Sequence, residues 1–380
     1  SQDISPLLSS SSDIFTRLAG YTFGQARYRV RGYDSKYTKV LINGVYVNDA
    51  ETGRAYWSNW GGLNDAMWNR DLSPGISYSE SDFGGIGGYT NIITRASEFR
   101  TQSSVSYASA NRSYNNRIMA THSSGLMSNG WAYVISLSKR WAQESYVEGS
   151  FYDAYGYFVG IEKKINSKHS VGITGFGAPS RTGRSSPSVM EVYQLTDNNF
   201  YNPNWGYQNG VKRNARVNNY HQPKIMLTHY YDINDDSKLN NTISYSFGKG
   251  GSTALNWYDS PDPRPDYYRN LPSYYKDDEI MFSHLTNLWQ NDESFRQLDW
   301  DSFYHANRKN LFTVENEGGI DGNDITGNRA AYIVEERRND IKRLDISSNY
   351  TNNLNEIIDI SNKDIEILTF SEIVEKLSLI

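Results

Sequence analysis

The chain has 380 residues, a formal net charge of −5 and no cysteine, which removes disulfides, thiol catalysis and Cys-based zinc sites and leaves no basic stripe for nucleic acid. Hydrophobic residues make up only 38% of it while aromatics reach 14%, with 30 Tyr and 9 Trp, a balance that suits outer-membrane barrels better than an aliphatic-cored enzyme and equally fits a Tyr-rich soluble lectin or sandwich. No stretch approaches the ~18 consecutive apolar residues of a membrane helix, and no signal peptide stands at Ser1, so the chain is expected to be mature or truncated at its start.

Residues 1–27 carry Ile4, Leu7, Leu8, Ile14 and Phe15, enough for a short helix or turn packed on the sheet next in the chain. From Tyr28 to Thr94 two compact strand-and-turn units flank an insert rich in Gly and Trp. In the first, the apolar run Val40–Val47 is cut by Asn43-Gly44, the dipeptide of a two-residue hairpin, because both residues tolerate positive φ. In the second, Gly84-Gly85 and Gly87-Gly88 bracket Ile86, so the backbone turns where a side chain would clash, and Tyr89–Thr94 resumes as a strand. The insert holds Arg54, Tyr56, Trp57, Trp60 and Trp68 in a polar loop, where aromatics serve either as recognition surface or as packing against a neighbouring wall.

From Gln102 the period changes to two. Trp131, Tyr133, Ile135 and Leu137 alternate with Ala132, Val134, Ser136 and Ser138. Tyr155, Tyr157, Val159 and Ile161 continue the series, followed by Val171 and Ile173, then Ile225, Leu227 and Tyr231. Leu239, Ile243, Tyr245 and Phe247 alternate with Asn240, Thr242, Ser244 and Ser246, and Leu344, Ile346 and Tyr350 with Asp345, Ser347 and Asn349. Runs of this length match the ~9–11 residues of a tilted membrane-crossing strand. Half-exposed soluble sheets alternate in the same way. Loop lengths separate the two: 166–168 and 234–236 are tight turns, whereas 140–154, 178–222 and 249–340 are long, polar and aromatic, the sorting of a barrel with short turns on one side and long loops on the other. The count is roughly eight strands. After Asn355 the Ile-rich stretch EIIDISNKDIEILTFSEIVEKLSLI abandons the alternation, and Thr369 and Glu372 have capping-box spacing. That tail reads as foreign to the fold, or as an unusual strand and helix.

Chemistry-bearing motifs are weak. His122, His169, His221, His229, His284 and His305 show no ligand spacing, so no metal site is expected. Asp232–Asp236 begins like a calcium loop, but Ser237 stands where the turn Gly belongs and Ile243 where the bidentate Glu belongs. Gly248–Ser252 lacks phosphate-loop spacing, and the pairs Asp299/Asp301 and Glu335/Glu336 read as solvated loop acids rather than a glycosidase dyad. No enzyme activity and no cofactor is expected.

Arg31-Gly32, the segment Val40-Leu41-Ile42-Asn43-Gly44, Gly75, Phe83-Gly84 and the run Gly87-Gly88-Tyr89-Thr90-Asn91-Ile92-Ile93-Thr94 together resemble the plug domain of TonB-dependent outer-membrane receptors. Phe83 replaces the usual Tyr, and Tyr89-Thr90 replaces an apolar residue; neither alters the turn chemistry. The motifs cover residues 1–100; beyond them the likeness is one of architecture. The resemblance implies a mostly β protein: an N-terminally incomplete α/β plug over 1–100, the N-terminal part of an antiparallel transmembrane β-barrel over 101–355, and an atypical tail over 356–380. The wall is expected to be an incomplete barrel, an open curved sheet. The implied location is the outer membrane of a Gram-negative bacterium. The implied partners are outer-membrane lipid, a TonB-type energy-coupling complex whose coupling peptide is not in this chain, and a small-molecule or glycan ligand such as an iron chelate, a cobalamin or a glycan. Arg54, Tyr56, Trp57 and Trp60, with Tyr201, Trp205, Tyr207, Trp257 and Tyr258, are the candidate ligand surface. Arg31, Gly32, Asn43, Gly44, Gly84, Gly85, Gly87, Gly88 and Asn91 are structural plug positions. As written, about eight strands without the coupling peptide are not expected to transport. The rival reading is a soluble or surface-tethered glycan-binding β-protein.

Overall fold

A computed structural model describes residues 33–73, 75–76, 85–111 and 113–352. The expectations for residues 1–27, for Arg31, Gly32, Phe83 and Gly84, and for the tail 356–380 lie outside the described residues.

Lys39–Ile42 (β1), Val45–Tyr46 (β2), Arg70–Ser73 (β3) and Tyr89–Ile92 (β4) form a small sheet in the order β2-β1-β4-β3. β1 and β4 run parallel, with Val40 opposite Thr90 and Ile42 opposite Ile92; the outer pairs are antiparallel. Ile42 faces Val45 across the turn, and Asn43 (φ 49°) and Gly44 (φ 74°) both take the left-handed conformation that their identities predicted. Gly87 is required by close approach: its N–H donates to the Tyr37 carbonyl at 3.1 Å, and an added Cβ would lie 2.9 Å from that carbonyl. The helical part of this unit, among the described residues, is three single 3-10 turns at Ser35–Tyr37, Trp57–Trp60 and Ala96–Glu98.

The remainder is dominated by an eleven-stranded antiparallel sheet. In chain order its segments are Gln102–Ser109 (β5), Asn116–Ser123 (β6), Trp131–Ala142 (β7), Tyr152–Lys164 (β8), His169–Gly177 (β9) and Ser180–Gly183 (β10). A separate hairpin, Trp205–Gln208 (β11) with Val211–Asn214 (β12), precedes Val217–His221 (β13), Lys224–Asp232 (β14) and Ser237–Trp257 (β15). A second hairpin, Leu311–Val314 (β16) with Ile325–Asn328 (β17), precedes Tyr332–Arg338 (β18) and Ile341–Asn352 (β19). Register shows that the eleven segments are eight continuous strands. β8 pairs Phe158 with Phe176 of β9 and Ala154 with Ser180 of β10 at one unbroken offset. β15 likewise pairs Ser246 with Lys224 and Lys249 with His221, and Gly248 with Ile341 and Gly251 with Arg338. Two of the three interruptions fall at Pro179 and Pro223, which have no N–H to donate. Their carbonyls still accept from Tyr155 (2.9 Å) and Phe247 (3.1 Å), so the strands pass through.

Connections sort by end. The short ones, 124–130, 165–168 and 233–236, lie at one end; 110–115, 143–151, 184–216 and 258–331 lie at the other. The expected long loops are partly strand: β7, β10, β13, β15 and β18 extend into them, and β15 alone runs 21 residues. They also hold Met190–Thr196 (α1), Glu279–Asn291 (α2) and Trp300–Lys309 (α3), the last two capped by the Asp278 and Asp299 carboxylates, which accept from the Met281 and Ser302 amides. Among the described residues β5 and the β18/β19 strand have no second neighbour, so the sheet is open and curved around the small one. No described helix is long and apolar enough to cross a membrane.

The two faces of the wall are opposite in polarity to those of a water-soluble sheet. Ile135 (42% exposed), Leu137 (55%) and Ile243 (48%) point outward, while Ser136 (0%), Thr242 (1%) and Ser244 (1%) are buried inside. The inner hydroxyls satisfy one another, Thr121 with Ser136 at 2.8 Å and Thr228 with Thr242 at 3.1 Å. Outer aliphatics are bracketed by rings: Trp131 and Tyr133 near the short turns, and Trp141, Tyr155, Tyr157, Tyr245 and Phe247 toward the long loops. The eight steps from Tyr133 to Trp141, at about 3.3 Å each and tilted about 40°, rise roughly 20 Å, close to the ~25 Å apolar band of a membrane barrel.

One apolar core joins the two sheets: Val40, Ile42, Val45, Trp60, Leu63, Met67 and Ile92 pack on Ala132, Val134, Phe158, Phe176 and Met226. The Asn43-Gly44 turn sits against β15 and β19, where the Gly44 carbonyl accepts from Ser347 at 3.0 Å and a Cβ on Gly44 would collide with the Asn349 amide. Gly44→Ala therefore combines left-handed strain with a clash. It is expected to lower stability by more than ~1 kcal/mol, read as a lower melting temperature of the detergent-solubilised protein.

Candidate functional site

The loop after β2 is built on Asn48. Its side-chain carbonyl accepts from Val40 N–H (2.8 Å), and its amide donates to the Thr38 (2.9 Å) and Gly53 (2.8 Å) carbonyls. Asp49 N–H donates to the Arg54 carbonyl at 2.9 Å, closing the turn. The loop reaches the long-loop end of the wall, where Asn59 donates to Gln222 at 3.2 Å. Arg54 is exposed and grips the Asp34 carboxylate with two nitrogens at 3.2 and 2.8 Å. The Lys36 amide and that guanidinium hold the Asp34 carboxyl below its ordinary value. Tyr56 and Trp57 are half-buried; Trp57 meets Trp60 edge-on at 5.4 Å and lies under the Arg70 guanidinium at 5.3 Å.

Burial divides the nine candidate ligand residues. Trp60 is only 6% exposed and belongs to the shared core. Tyr201 is buried with Val192, Leu271 and Trp289, its hydroxyl donating to the Arg296 carbonyl at 2.8 Å, and burial raises its phenol pKa. Trp205 is buried between Gly149 and the Lys212 ammonium, which sits 4.6 Å from its ring. These three pack protein against protein. Arg54, Tyr56 and Trp57 on the plug loop, and Tyr207, Trp257 and Tyr258 among the long loops, keep exposed surface.

Two cavities are lined by none of the nine. A groove of ≈ 950 Å³ between the hairpin β11–β12 and the upper wall is lined by Lys139, Trp141, Asp153, Arg181, Lys212 and Glu336 among others. Burial works against the Lys212 charge, but Glu148 (2.9 Å) and Glu144 (3.0 Å) more than offset it and raise the ammonium above its ordinary value. A smaller one of ≈ 460 Å³ lies beside the plug, with Lys36, Lys39, Asn48 and Arg343 in its wall.

Charged ties between plug and wall leave no signal in the sequence pattern. Glu162 on β8, 1% exposed, accepts from Arg95 Nε at 2.9 Å and from the Ser97 amide at 3.0 Å, and the Arg95 guanidinium lies 4.2 Å over the Tyr230 ring. On the other side Arg343 donates to the Asn48 carbonyl (2.7 Å) and to Asp345 (2.6 Å), and Lys224 lies 3.5 Å from the same carboxylate. Such pairs are invisible in sequence because Arg95 and Glu162 are 67 residues apart. Glu162→Ala removes the acceptor of both Arg95 and the Ser97 amide; because Arg95 is 23% exposed and stays over Tyr230, the cost falls below the ~3–5 kcal/mol of fully buried pairs. The expected outcome is faster protease cleavage within residues 33–98 and a milder effect for Glu162→Gln.

No protein-family model and no curated protein matches the chain. Among solved structures it is similar to the siderophore receptor PiuA of Acinetobacter baumannii, at 16% identity and a TM-score of 0.42, over 61% of this chain and 32% of that one. It is also similar to the ferric-catecholate import receptor Fiu of E. coli K12 in its open form (15%, TM-score 0.41, 60% and 34%). The ferripyoverdine receptor of the outer membrane of Pseudomonas aeruginosa is a third (12%, TM-score 0.43, 62% and 31%). The chain thus spans about a third of the length of these structures. The fold implied by the resemblance to TonB-dependent outer-membrane receptors, a small plug sheet seated against a curved antiparallel wall, is the fold of the described residues.

Proposed function

We propose that this chain is the plug and adjoining barrel wall of a TonB-dependent receptor in a Gram-negative outer membrane, serving energy-coupled uptake of a scarce ligand. The plug occupies residues 1–100 and the wall 101–355. The observation that carries the reading is the inverted wall: apolar side chains outside, hydroxyls and buried ion pairs inside, with short turns gathered at one end and long loops at the other.

Ligand arrives from the long-loop side and meets Arg54, Tyr56 and Trp57 at the top of the plug, with Tyr207, Trp257 and Tyr258 on the surrounding loops. Their aromatic and cationic faces suit the planar groups of an iron chelate, and the similar receptors are named for siderophore and ferric-catecholate ligands; they suit equally the faces of a cobalamin or a glycan. No covalent step is involved. An energy-coupling complex acts by moving the plug, and the polar contacts at Glu162, Ser347, Arg343 and Gln222 are ones that water can replace when it moves.

A soluble glycan-binding protein would bury Ile135, Leu137 and Ile243, and these are exposed. The test is fractionation. Expressed with an outer-membrane targeting sequence, the chain is expected in the outer-membrane fraction and in solution only with detergent. Ile135→Arg and Ile243→Arg each oppose insertion by roughly 2–4 kcal/mol at mid-bilayer depth, and should reduce the membrane-inserted yield. A wild-type chain monodisperse in plain buffer would replace this reading with the glycan-binding one.

A further inference from the structure

His169 opens β9 just after the short turn 165–168, and His229 lies on the neighbouring strand β14. The register sets Tyr231 opposite His169 and Val171 opposite His229, so the two histidines are diagonal neighbours on the outer face, at the short-turn rim. Both are half-buried. His169 Nδ1 is 3.0 Å from His229 Nε2. The ring planes differ by 4° and the centroids are 5.3 Å apart, close to one N···N contact plus two ring radii, so the imidazoles meet edge to edge in nearly one plane. Tyr231 stacks on His169 at 4.3 Å and holds that ring in place.

We infer that His169 and His229 form a two-imidazole chelate for a divalent transition metal of the copper or nickel kind. A neutral imidazole has one N–H and one lone pair, and which nitrogen carries the proton is set by its partner. In the free pair one facing nitrogen donates to the other. Moving that proton to the far nitrogen of its own ring, by exchange with water, leaves two facing lone pairs and no change in charge. Turning both rings out of their common plane about χ2, a soft torsion, then aims both at a common ion. With metal–nitrogen bonds of about 2.0–2.1 Å, nitrogens 3.0 Å apart subtend roughly 90° at the metal. That is the cis angle of tetragonal Cu(II) or Ni(II), tighter than the tetrahedral angle zinc adopts in structural sites. Among the described residues no group of three or more His, Cys, Asp or Glu gathers to hold a metal, so water completes the coordination and the rim position keeps it open. This inference does not depend on the receptor reading.

The experiment is titration of the untagged 380-residue protein in detergent with CuCl2, NiCl2 and ZnCl2, followed by calorimetry and, for copper, electron paramagnetic resonance. One equivalent of Cu(II) is expected, with hyperfine structure from two nitrogens, and binding of Zn(II) weaker than of Cu(II). Losing even a group that supports a ligand lowers metal affinity about 10–100-fold, so His169→Gln and His229→Gln should each weaken Cu(II) by at least that much. His122→Gln, on the same face but bonded to Ser103 and Tyr133, should leave it unchanged. Absence of Cu(II) binding, or binding undiminished in both variants, overturns the assignment.

Discussion

The wall stands between two surroundings, and its strands are written for both. Along most of its strands aliphatic and aromatic residues face outward while hydroxyls, amides and charges face inward, apart from an inner apolar patch at Ala132, Val134, Phe158, Phe176 and Met226. In water such a sheet would be inside out, exposing Ile and Leu while burying Ser and Thr against a polar neighbour. Within a hydrocarbon layer it is the stable arrangement, because strand pairing satisfies the backbone and the outer side chains match the lipid. Everything else depends on this constraint: strands must pair without slipping, since a one-residue slip would exchange the two faces. The unbroken offsets through Pro179 and Pro223 show that pairing survives even where the ladder loses a donor.

A polar inner face raises the question of what holds the small sheet in place. The answer is a mixed interface. A compact apolar patch, centred on Phe158, Phe176 and Met226, gives non-directional attachment. Around it, directional ties at Glu162, Arg343, Ser347 and Gln222 fix the orientation. Desolvation offsets much of the attraction within a buried ion pair, so the apolar patch carries most of the attachment.

The long loops are folded rather than slack. Trp289, Trp300, Tyr201 and Phe303 anchor two small clusters of their own, above the wall. A sequence rich in exposed-looking aromatics thus divides its rings between the outer face of the wall, loop cores and the remaining open faces.

What the sequence determined by itself was local. Asn43-Gly44 specified a two-residue turn, the two-residue period specified strands and their faces, and loop lengths specified which ends lie together; each follows from the chemistry of a few adjacent residues. The helices α2 and α3 were legible in principle from Asp278 and Asp299 at their N-caps, but a two-residue period does not reveal them. Whether a ring is buried, which carboxylate meets which guanidinium, and that two histidines 60 residues apart touch were decided only by the tertiary structure. Burial and pairing depend on what lies opposite, and that is set by strand register between segments distant in the chain, a quantity that no local pattern contains.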